Sequence, residues 1–181
     1  MSLSLKIINE INDEIVFLRK ISKKDKNFLF NSLNDENITK YLLIGPLLSL
    51  NHSKLLIKKY FKDWVDNKQF CYIIEINDRG IRKQIGIINL WNINWRSKRA
   101  EIGIWIISKF WGNGYGNSAV NLLIIIALEY LNLHRLEVHI ARDNNFSINL
   151  FMKCGFIQET LLKDYLFING IFHDAIYLSL I

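Results

Sequence analysis

Hydrophobic residues along the chain follow two different spacings, which predict helices and strands. Leu56, Tyr60 and Trp64 recur every four residues, which is typical of one face of a helix. Residues 135–141 alternate apolar and polar side chains instead, which is typical of a half-buried strand. Predicted strands cover residues 14–18, 70–76, 84–92, 100–107, 135–141, 156–168 and 171–180. Predicted helices cover residues 20–33, 37–43, 51–65, 118–131 and 146–153.

The order of these elements indicates the fold class. A first strand and a group of helices are followed by three strands, a helix, a strand, a helix and two final strands. Asn169-Gly170, between the last two strands, is a strong signal for a hairpin turn. The 181 residues fit one domain that can bury a sizeable core. We therefore predict a single α/β (α+β) domain over residues 1–181, with a central mixed, mostly antiparallel sheet of about seven strands and about four flanking helices.

The segment Ile104–Asn117 joins a predicted strand to a predicted helix through a loop that contains Gly112, Gly114 and Gly116. Glycine allows positive φ angles and lets a ligand approach the main chain. A glycine loop before a helix N-terminus forms a site for an anion such as phosphate, because backbone N–H groups converge there. An ordinary strand-to-helix turn is the alternative interpretation. The spacing matches neither a P-loop, which needs Lys-Ser or Lys-Thr after the glycines, nor a dinucleotide fingerprint, whose third glycine falls on Asn117.

Composition and charge narrow the setting and the partners. Two cysteines, Cys71 and Cys154, are too few for a disulfide framework and favour a reducing environment. The longest apolar run, Leu122–Leu128, is far shorter than a membrane span of about 20 residues, and the N-terminus lacks the layout of a signal peptide. We therefore expect a cytoplasmic protein without a membrane partner. The net charge of +6 favours anionic partners such as a phosphorylated cofactor; nucleic acid is the weaker interpretation, because the lysines are spread along the chain.

Four motifs in the chain resemble, in the same order, those of the GNAT superfamily of acetyl-CoA-dependent N-acetyltransferases. W-G-N-G-Y-G at residues 111–116 is similar to the pyrophosphate loop of the family, and R-A-E-I-G-I-W-I at 99–106 to the preceding strand. N-N-F-S-I-N-L-F-M-K-C-G-F at 144–156 and F-I-N-G-I-F-H-D-A at 167–175 resemble a helix motif and the closing hairpin. The resemblance spans residues 15–181. It looks closest to the branch that holds ribosomal-protein N-terminal acetyltransferases and spermidine acetyltransferases.

The resemblance implies where acetyl-CoA, the expected cosubstrate, binds. The pantetheine arm is expected to bond to the backbone of residues 104–106, and the pyrophosphate to the N–H groups of residues 112–117. The helix at 146–153 is expected to flank the thioester end, and Trp111 stands where the family has Gln or Arg. The implied cofactor-binding residues are Ile104, Trp105, Ile106, Trp111, Gly112, Asn113, Gly114, Tyr115, Gly116, Asn117, Asn144, Ser147, Phe151 and Lys153. No metal is expected in the site.

Ser147 is the first candidate for catalysis. It matches the serine that ribosomal-protein relatives are thought to use to protonate the departing thiolate. Its alternative role is to cap the helix at residues 146–153. Polyamine-type relatives carry a tyrosine where this chain has Phe151, so that leaving-group acid is absent here.

Glu101 is the candidate general base, because it shares a strand face with Trp105. A salt bridge to Arg99 or Arg135 is its alternative role. The ribosomal-protein branch carries a carboxylate on the sixth strand of the fold, but the aligned position in this chain is Leu166.

The sequence thus predicts an acetyl-CoA-dependent N-acetyltransferase that acts on a primary amine by direct transfer. The alternative is a non-catalytic acyl-CoA-binding sensor or scaffold, which the missing tyrosine and carboxylate favour. At pH 7 an α-amine with a pKa of about 7.8 is roughly one-seventh neutral, whereas a lysine amine is neutral in only about one part in 2,500. A site without an obvious strong base therefore favours a protein or peptide N-terminus, or a small weakly basic amine. The apolar C-terminal hairpin is compatible with a homodimer.

Overall fold

The computed structural model describes residues 6–181; Met1–Leu5, which begin the segment assessed above for a signal peptide, lie outside the described residues. The strands are β1 (Glu10–Asn12), β2 (Phe17–Lys20), β3 (Phe70–Asp78), β4 (Ile81–Asn94), β5 (Arg99–Ile106), β6 (Arg135–Ala141), β7 (Ile157–Ile168) and β8 (Ile171–Leu180). The helices are α1 (Lys26–Ser32), α2 (Glu36–Thr39), α3 (Leu50–Val65), α4 (Tyr115–Ile125) and α5 (Asn145–Lys153). Across residues 6–181, no helix combines the length and the apolar character needed to cross a membrane.

The eight strands form one sheet in the order β1-β2-β3-β4-β5-β6-β8-β7. All neighbouring strands are antiparallel except β5 and β6, which are parallel. Their contact is short, since the ladder pairs only Arg99–Glu101 with Arg135–Glu137 within the described chain. β5 then continues along β4 to Ile106, while β6 continues along β8 to Ala141. The two strands therefore separate after Glu101, and the sheet is open between them.

Helices cover both faces of the sheet. Side chains alternate between the faces along each strand, so Tyr72 and Ile74 of β3 point one way and Cys71 and Ile73 the other. The first face packs against α4, whose buried residues include Leu123. The second face, here called the α1–α3 face, is covered by helices α1 and α3. Its buried cluster consists of Ile21, Leu29, Ile57, Tyr60, Cys71, Ile73 and Ile87.

The predicted mixed, mostly antiparallel sheet is confirmed, although it has one strand more than predicted. The first predicted strand, at residues 14–18, is displaced to β2, which begins at Phe17. The carboxylate of Asp13 accepts the N–H groups of Ile15 and Val16, both at 2.7 Å. Such a bond closes a local turn, so the chain cannot be extended there. The additional strand, β1, lies just before this turn.

Two helices begin at positions other than those predicted. α1 starts at Lys26 instead of Lys20, because Ser22 caps an intervening turn of 3₁₀ helix and holds the chain in a different path. α4 starts at Tyr115 instead of Ser118, directly after a glycine in the left-handed conformation. A π-helical turn continues α4 to residue 130. The short helix predicted at residues 37–43 is a single turn, α2.

The predicted C-terminal hairpin is confirmed. Asn169 and Gly170 at its tip have φ angles of 50° and 81°, as a two-residue hairpin turn of the primed type requires. Phe167, Ile171 and Phe172 near the tip are exposed. A homodimer through this surface stays a prediction.

Candidate active site

The loop between β5 and α4 has the backbone conformation that its glycines were predicted to allow. Gly112 and Gly114 have φ angles of 76° and 81°, in the left-handed region that favours glycine. A Cβ atom added at either position would meet nothing within 4 Å, so the surface around them is open. Gly116 differs, because it lies inside α4 and a Cβ there would come within 3.2 Å of Leu150 on α5. Gly116 therefore lies at a close contact between α4 and α5.

The N-terminus of α4 presents backbone donors that the helix itself does not use. Gly114 is the N-cap and has no side chain that could bond to them. The first bond of the helix runs from the N–H of Ser118 to the carbonyl of Gly114, at 3.1 Å. The N–H groups of Tyr115, Gly116 and Asn117 precede this bond and point out of the helix end. Together with the positive end of the helix dipole, they form a site for an anion.

The polar atoms of two loop side chains bond back to main-chain carbonyls. Trp111 donates its indole N–H to the carbonyl of Ile106 at 2.6 Å, and its ring centroid lies 5.8 Å from that of Phe146 on α5. Asn113 donates to the carbonyls of Phe110 and Trp111 at 3.2 and 2.9 Å. These bonds fix the shape of the loop, so the groups left to face a ligand are mainly backbone.

Residues 104–106 lie on the part of β5 that has separated from β6. On its other side this part of β5 pairs with residues 86–88 of β4. Ile104 and Ile106 pack into the core on the α4 face, whereas Trp105 lies on the α1–α3 face. There its ring stacks on Phe28 of α1, with the centroids 5.7 Å apart. The segment predicted to bind pantetheine therefore borders the opening of the sheet with its backbone.

Glu101 lies where β5 and β6 separate, and it is only 7% exposed. One carboxylate oxygen accepts from Nδ2 of Asn92 at 2.6 Å, and the other lies 3.0 Å from Nδ1 of His139. Asn92 reaches it from an irregularity in β4, with a φ angle of 49°. His139 stacks on Tyr165 and Tyr177, at centroid distances of 4.6 and 4.8 Å. Glu101 is thus held by a neutral amide and a titratable imidazole, a pairing that can exchange a proton.

Glu137 is the register partner of Glu101 in the parallel ladder, but its surroundings are different. It accepts from Arg99 at 2.7 Å and from Arg135 at 2.8 Å. Burial alone would raise the pKa of Glu137, but hydrogen bonds, led by that of Arg135, hold this pKa below its ordinary value. The two arginines therefore bind Glu137, and the salt bridge offered as the alternative role of Glu101 is not formed with Glu101.

Helix α5 and its N-cap contain four of the predicted site residues. Asn144 is its N-cap and accepts the N–H of Ser147 at 3.2 Å, so the capping role considered for Ser147 belongs to Asn144. Ser147 lies half-buried in the first turn. Phe151 is 1% exposed and packs edge-on against Phe156 at 5.1 Å, which makes it part of the core. Lys153 is exposed in the last turn, at the opposite end of the helix from Asn144.

Asn92 and His139 were not among the residues that the sequence singled out for the site. Both are brought to Glu101 by strand pairing, because they lie on β4 and β6 on either side of it. One local signal was present: two asparagines at positions 92 and 94 interrupt the apolar run of β4. Such an interruption marks a bulge, which often turns a side chain toward a functional site.

Comparisons with known proteins agree with this arrangement. Residues 16–157 match the family model described as an acetyltransferase (GNAT) domain. Spermidine N(1)-acetyltransferase of Vibrio cholerae is 29% identical over 158 residues, which cover 87% of this chain and 88% of the relative. Ribosomal-protein-serine acetyltransferase of Escherichia coli is 32% identical over 91 residues, 50% of this chain and 51% of the relative.

A solved structure also matches over most of the chain. It is the crystal structure of spermidine N-acetyltransferase from Vibrio cholerae in complex with CoA and spermine, with a TM-score of 0.80 and 28% identity. The match covers 91% of this chain and 94% of that one. The family model alone spans more than three quarters of the sequence. The chain therefore belongs to the GNAT family of acetyltransferases.

Proposed function

We propose that the chain transfers an acetyl group from acetyl-CoA directly to a primary amine, and that this amine is the α-amine of a protein or peptide, or a small weakly basic amine. The observation that carries the proposal is the junction of β5 and α4. There the free backbone donors of the α4 N-terminus follow the strand edge that β6 leaves open. The family supports the reaction, since relatives are named as N-acetyltransferases of spermidine and one of them is solved with CoA.

The residues at this junction fit coenzyme A. Its pyrophosphate would be held by the N–H groups of Tyr115–Asn117, where the helix dipole favours negative charge. Its pantetheine arm contains amides, which suit the backbone groups of Ile104–Ile106 along the open edge. The open surface around Gly112 and Gly114 leaves room for the phosphates. When bound, acetyl-CoA supplies the acetyl group in activated form, as a thioester.

In the proposed reaction, Glu101 and His139 accept the proton that the amine loses. The amine nitrogen attacks the thioester carbonyl carbon, so that a C–N bond forms and the C–S bond breaks with its electron pair going to sulfur. The ammonium proton passes to the Glu101–His139 pair, and the sulfur takes a proton from Ser147 or from water. A backbone N–H at Trp105 or Ile106 would stabilise the negative charge that develops on the carbonyl oxygen.

The proton balance favours an α-amine as the acceptor. Deprotonation at pH 7 costs about 1 kcal/mol for an α-amine, but about 4.6 kcal/mol for an amine with the pKa of lysine. The proposed base is a carboxylate that is already hydrogen-bonded through both oxygens. An acceptor that needs little help with deprotonation matches this site best.

A lysine-lined groove on the α1–α3 face argues against a polycationic acceptor. The groove measures about 480 Å³ and is lined by Lys23, Lys26, Lys54, Ile57, Lys58 and Phe61. None of its four lysines forms an ion pair with a carboxylate of residues 6–181, whereas Lys59 and Lys62, elsewhere on α3, pair with Asp63 and Asp66. The floor of the groove belongs to the apolar cluster that also contains Trp105. This uncompensated charge repels polyamines and attracts acidic acceptors.

Acceptor-dependent release of the CoA thiol tests the proposal. The panel contains a lysine-free peptide with a free α-amine, the same peptide blocked at its N-terminus and carrying one lysine, and spermidine. We expect the highest kcat/KM for the first peptide, with the acetyl group located on its N-terminus by mass spectrometry. A preference for spermidine over both peptides would overturn the acceptor assignment. CoA binding without thiol release for any amine would overturn catalysis and favour a non-catalytic acyl-CoA-binding module.

A further inference from the structure

Asn89 on β4 has an unusual side chain. Its Oδ1 is the one buried side-chain nitrogen or oxygen in residues 6–181 that has no hydrogen-bond partner. A buried acceptor without a donor typically costs about 1–3 kcal/mol of folding free energy. An oxygen of this kind calls for an explanation, and a bound group that brings its own donor is one of the accepted explanations.

Strand pairing places Asn89 next to residues of the proposed site. It pairs with Gly103 of β5, and its Oδ1 lies 2.9 Å from the point that a Cβ of Gly103 would occupy. The absence of a side chain at Gly103 therefore makes room for the amide. In the same ladder, Glu101 lies two residues before Gly103 on β5, and Trp105 lies two residues after it. Side chains along a strand alternate between the two faces of the sheet, so Glu101, Gly103 and Trp105 lie on the same face as Asn89.

We propose that Oδ1 of Asn89 accepts an N–H of the acceptor amine and so positions its nitrogen between Glu101 and the thioester carbonyl. This inference rests on the proposed function. A neutral primary amine has two N–H groups and one lone pair, so one N–H can bond to Asn89 while the lone pair faces the carbonyl carbon. An amide oxygen suits this role better than a carboxylate, because a negative charge there would favour the protonated, unreactive amine. Asn89 is thus a substrate-binding residue that is specific for the N–H of the acceptor.

Asn89→Leu separates this role from a structural one. Leucine has a similar size and removes the unpaired oxygen, so we expect the melting temperature to rise. We expect the KM for the lysine-free peptide to rise about tenfold, the loss of one hydrogen bond to the substrate, while CoA affinity stays unchanged. Asn94→Leu is the matched control on the same strand, because its Oδ1 accepts the N–H of Ser97 at 2.9 Å. This control should lose stability and keep its KM.

Asn89→Asp gives a readout that a structural role would not move. Aspartate keeps the acceptor but adds a charge that raises the pKa of the bound amine, so the pH profile of kcat, which reports groups in the enzyme–substrate complex, should shift to higher pH. An unshifted profile, or an Asn89→Leu variant with lower stability and an unchanged KM, would overturn the assignment.

Calorimetry with the lysine-free peptide and the CoA complex distinguishes failure of this inference from failure of the proposed function. We expect the peptide to bind the wild-type complex and to bind Asn89→Leu about tenfold more weakly. Weaker binding by the variant supports the role of Asn89 even if no acetyl transfer is detected, in which case only the catalytic proposal fails. Equal affinity of the two proteins for the peptide overturns the role of Asn89, whatever the turnover.

Discussion

The glycine loop at residues 111–117 and the polar cluster around Glu101 belong to the same site but consist of different groups. In the loop, the groups that face a ligand are backbone N–H groups, and a side chain such as Asn113 is turned back to the loop carbonyls. In the cluster, the functional groups are side chains from three strands: Asn92 from β4, Glu101 from β5 and His139 from β6. The loop depends on φ angles, and the cluster depends on strand register.

This difference determines which substitutions each part tolerates. A backbone site is insensitive to most changes of side chain, but it fails when a positive φ angle is no longer accessible. The cluster behaves in the opposite way, because exchanging one carboxylate for an amide alters its chemistry while the backbone stays in place. In the proposed reaction the loop binds the cofactor and the cluster handles the proton. CoA affinity and kcat should therefore respond to separate sets of variants.

Gly114→Val is expected to have the largest effect. Valine is β-branched and strained at a φ of 81°, and its side chain would occupy the open surface proposed for the pyrophosphate. Losing two charge-assisted hydrogen bonds would raise the dissociation constant of CoA about several hundredfold, as measured by calorimetry. Gly170→Val is the matched control, because Gly170 has the same φ at the tip of the β7–β8 hairpin. The control should show a similar loss of stability with normal CoA binding. Normal binding by Gly114→Val would place the cofactor elsewhere.

Glu101→Gln is expected to lower kcat on the order of a hundredfold at pH 7, the lower end of what a general base contributes. Glutamine can keep both hydrogen bonds, since its oxygen accepts from Asn92 and its amide can donate to Nδ1 of His139. CoA affinity should therefore stay normal. The loss should shrink above about pH 8, where an α-amine is neutral without assistance. A variant with wild-type kcat at pH 7, measured by thiol release, would show that the proton leaves by another route.

The loop could be predicted from the sequence because its physics is local. Glycine spacing between an apolar strand and a helix predicted the positive φ angles of Gly112 and Gly114, and the structure confirms them. The four motifs also predicted the family, which the match over residues 16–157 confirms. The predicted start of α4 was wrong by about one turn. Nothing about Tyr115 in the sequence marks it as the first helical residue after a glycine N-cap.

The cluster could not be predicted in the same way. Glu101 and His139 are 38 residues apart, and they meet only because β5 and β6 pair over a short parallel register. Arg99 is nearer to Glu101 in sequence and looked like its partner, yet it bonds to Glu137 across the ladder. The unpaired oxygen of Asn89 was equally hidden, because its burial depends on which residue of β5 stands opposite. Register across three strands is a tertiary property that no local pattern fixes.

Glu137→Gln sharpens the contrast within the cluster. The amide nitrogen of glutamine cannot accept, so Arg99 or Arg135 loses its partner, and the free energy of unfolding should fall by about 1–2 kcal/mol. The kcat and KM should stay unchanged, because this carboxylate is fully engaged by the two arginines. A lower kcat at unchanged stability, from thiol release and urea unfolding at pH 7, would contradict a structural role.

The lowered pKa of Glu137 predicts that the stability difference between the wild type and this variant depends on pH. Because the pKa of Glu137 is lowered in the folded state, its carboxylate stabilises the fold above its unfolded pKa of about 4.3. This stabilisation is lost as the pH falls through the lower, folded-state value. The free energy of unfolding of the wild type should therefore no longer exceed that of Glu137→Gln below about pH 4, as measured by urea unfolding at several pH values. A difference between the two proteins that stays constant down to pH 2 would show that the charge is not involved.

The smallest expected effect concerns the lysine-lined groove on the α1–α3 face. Exchanging Lys54 and Lys58 together for glutamate neutralises the net charge of the groove, since Lys23 and Lys26 remain, and should lower the KM for spermidine about threefold, because exposed charges act weakly through water. The same exchange at Lys59 and Lys62 reverses as many charges on the same helix, but at lysines that pair with carboxylates outside the groove. This control should change the KM for spermidine by less than half as much. Raising the salt from about 0.05 M to about 0.5 M should abolish the difference between the pairs, since the Debye length then shrinks severalfold. Equal effects of the two pairs would mean that net charge, and not the groove, selects against polycations.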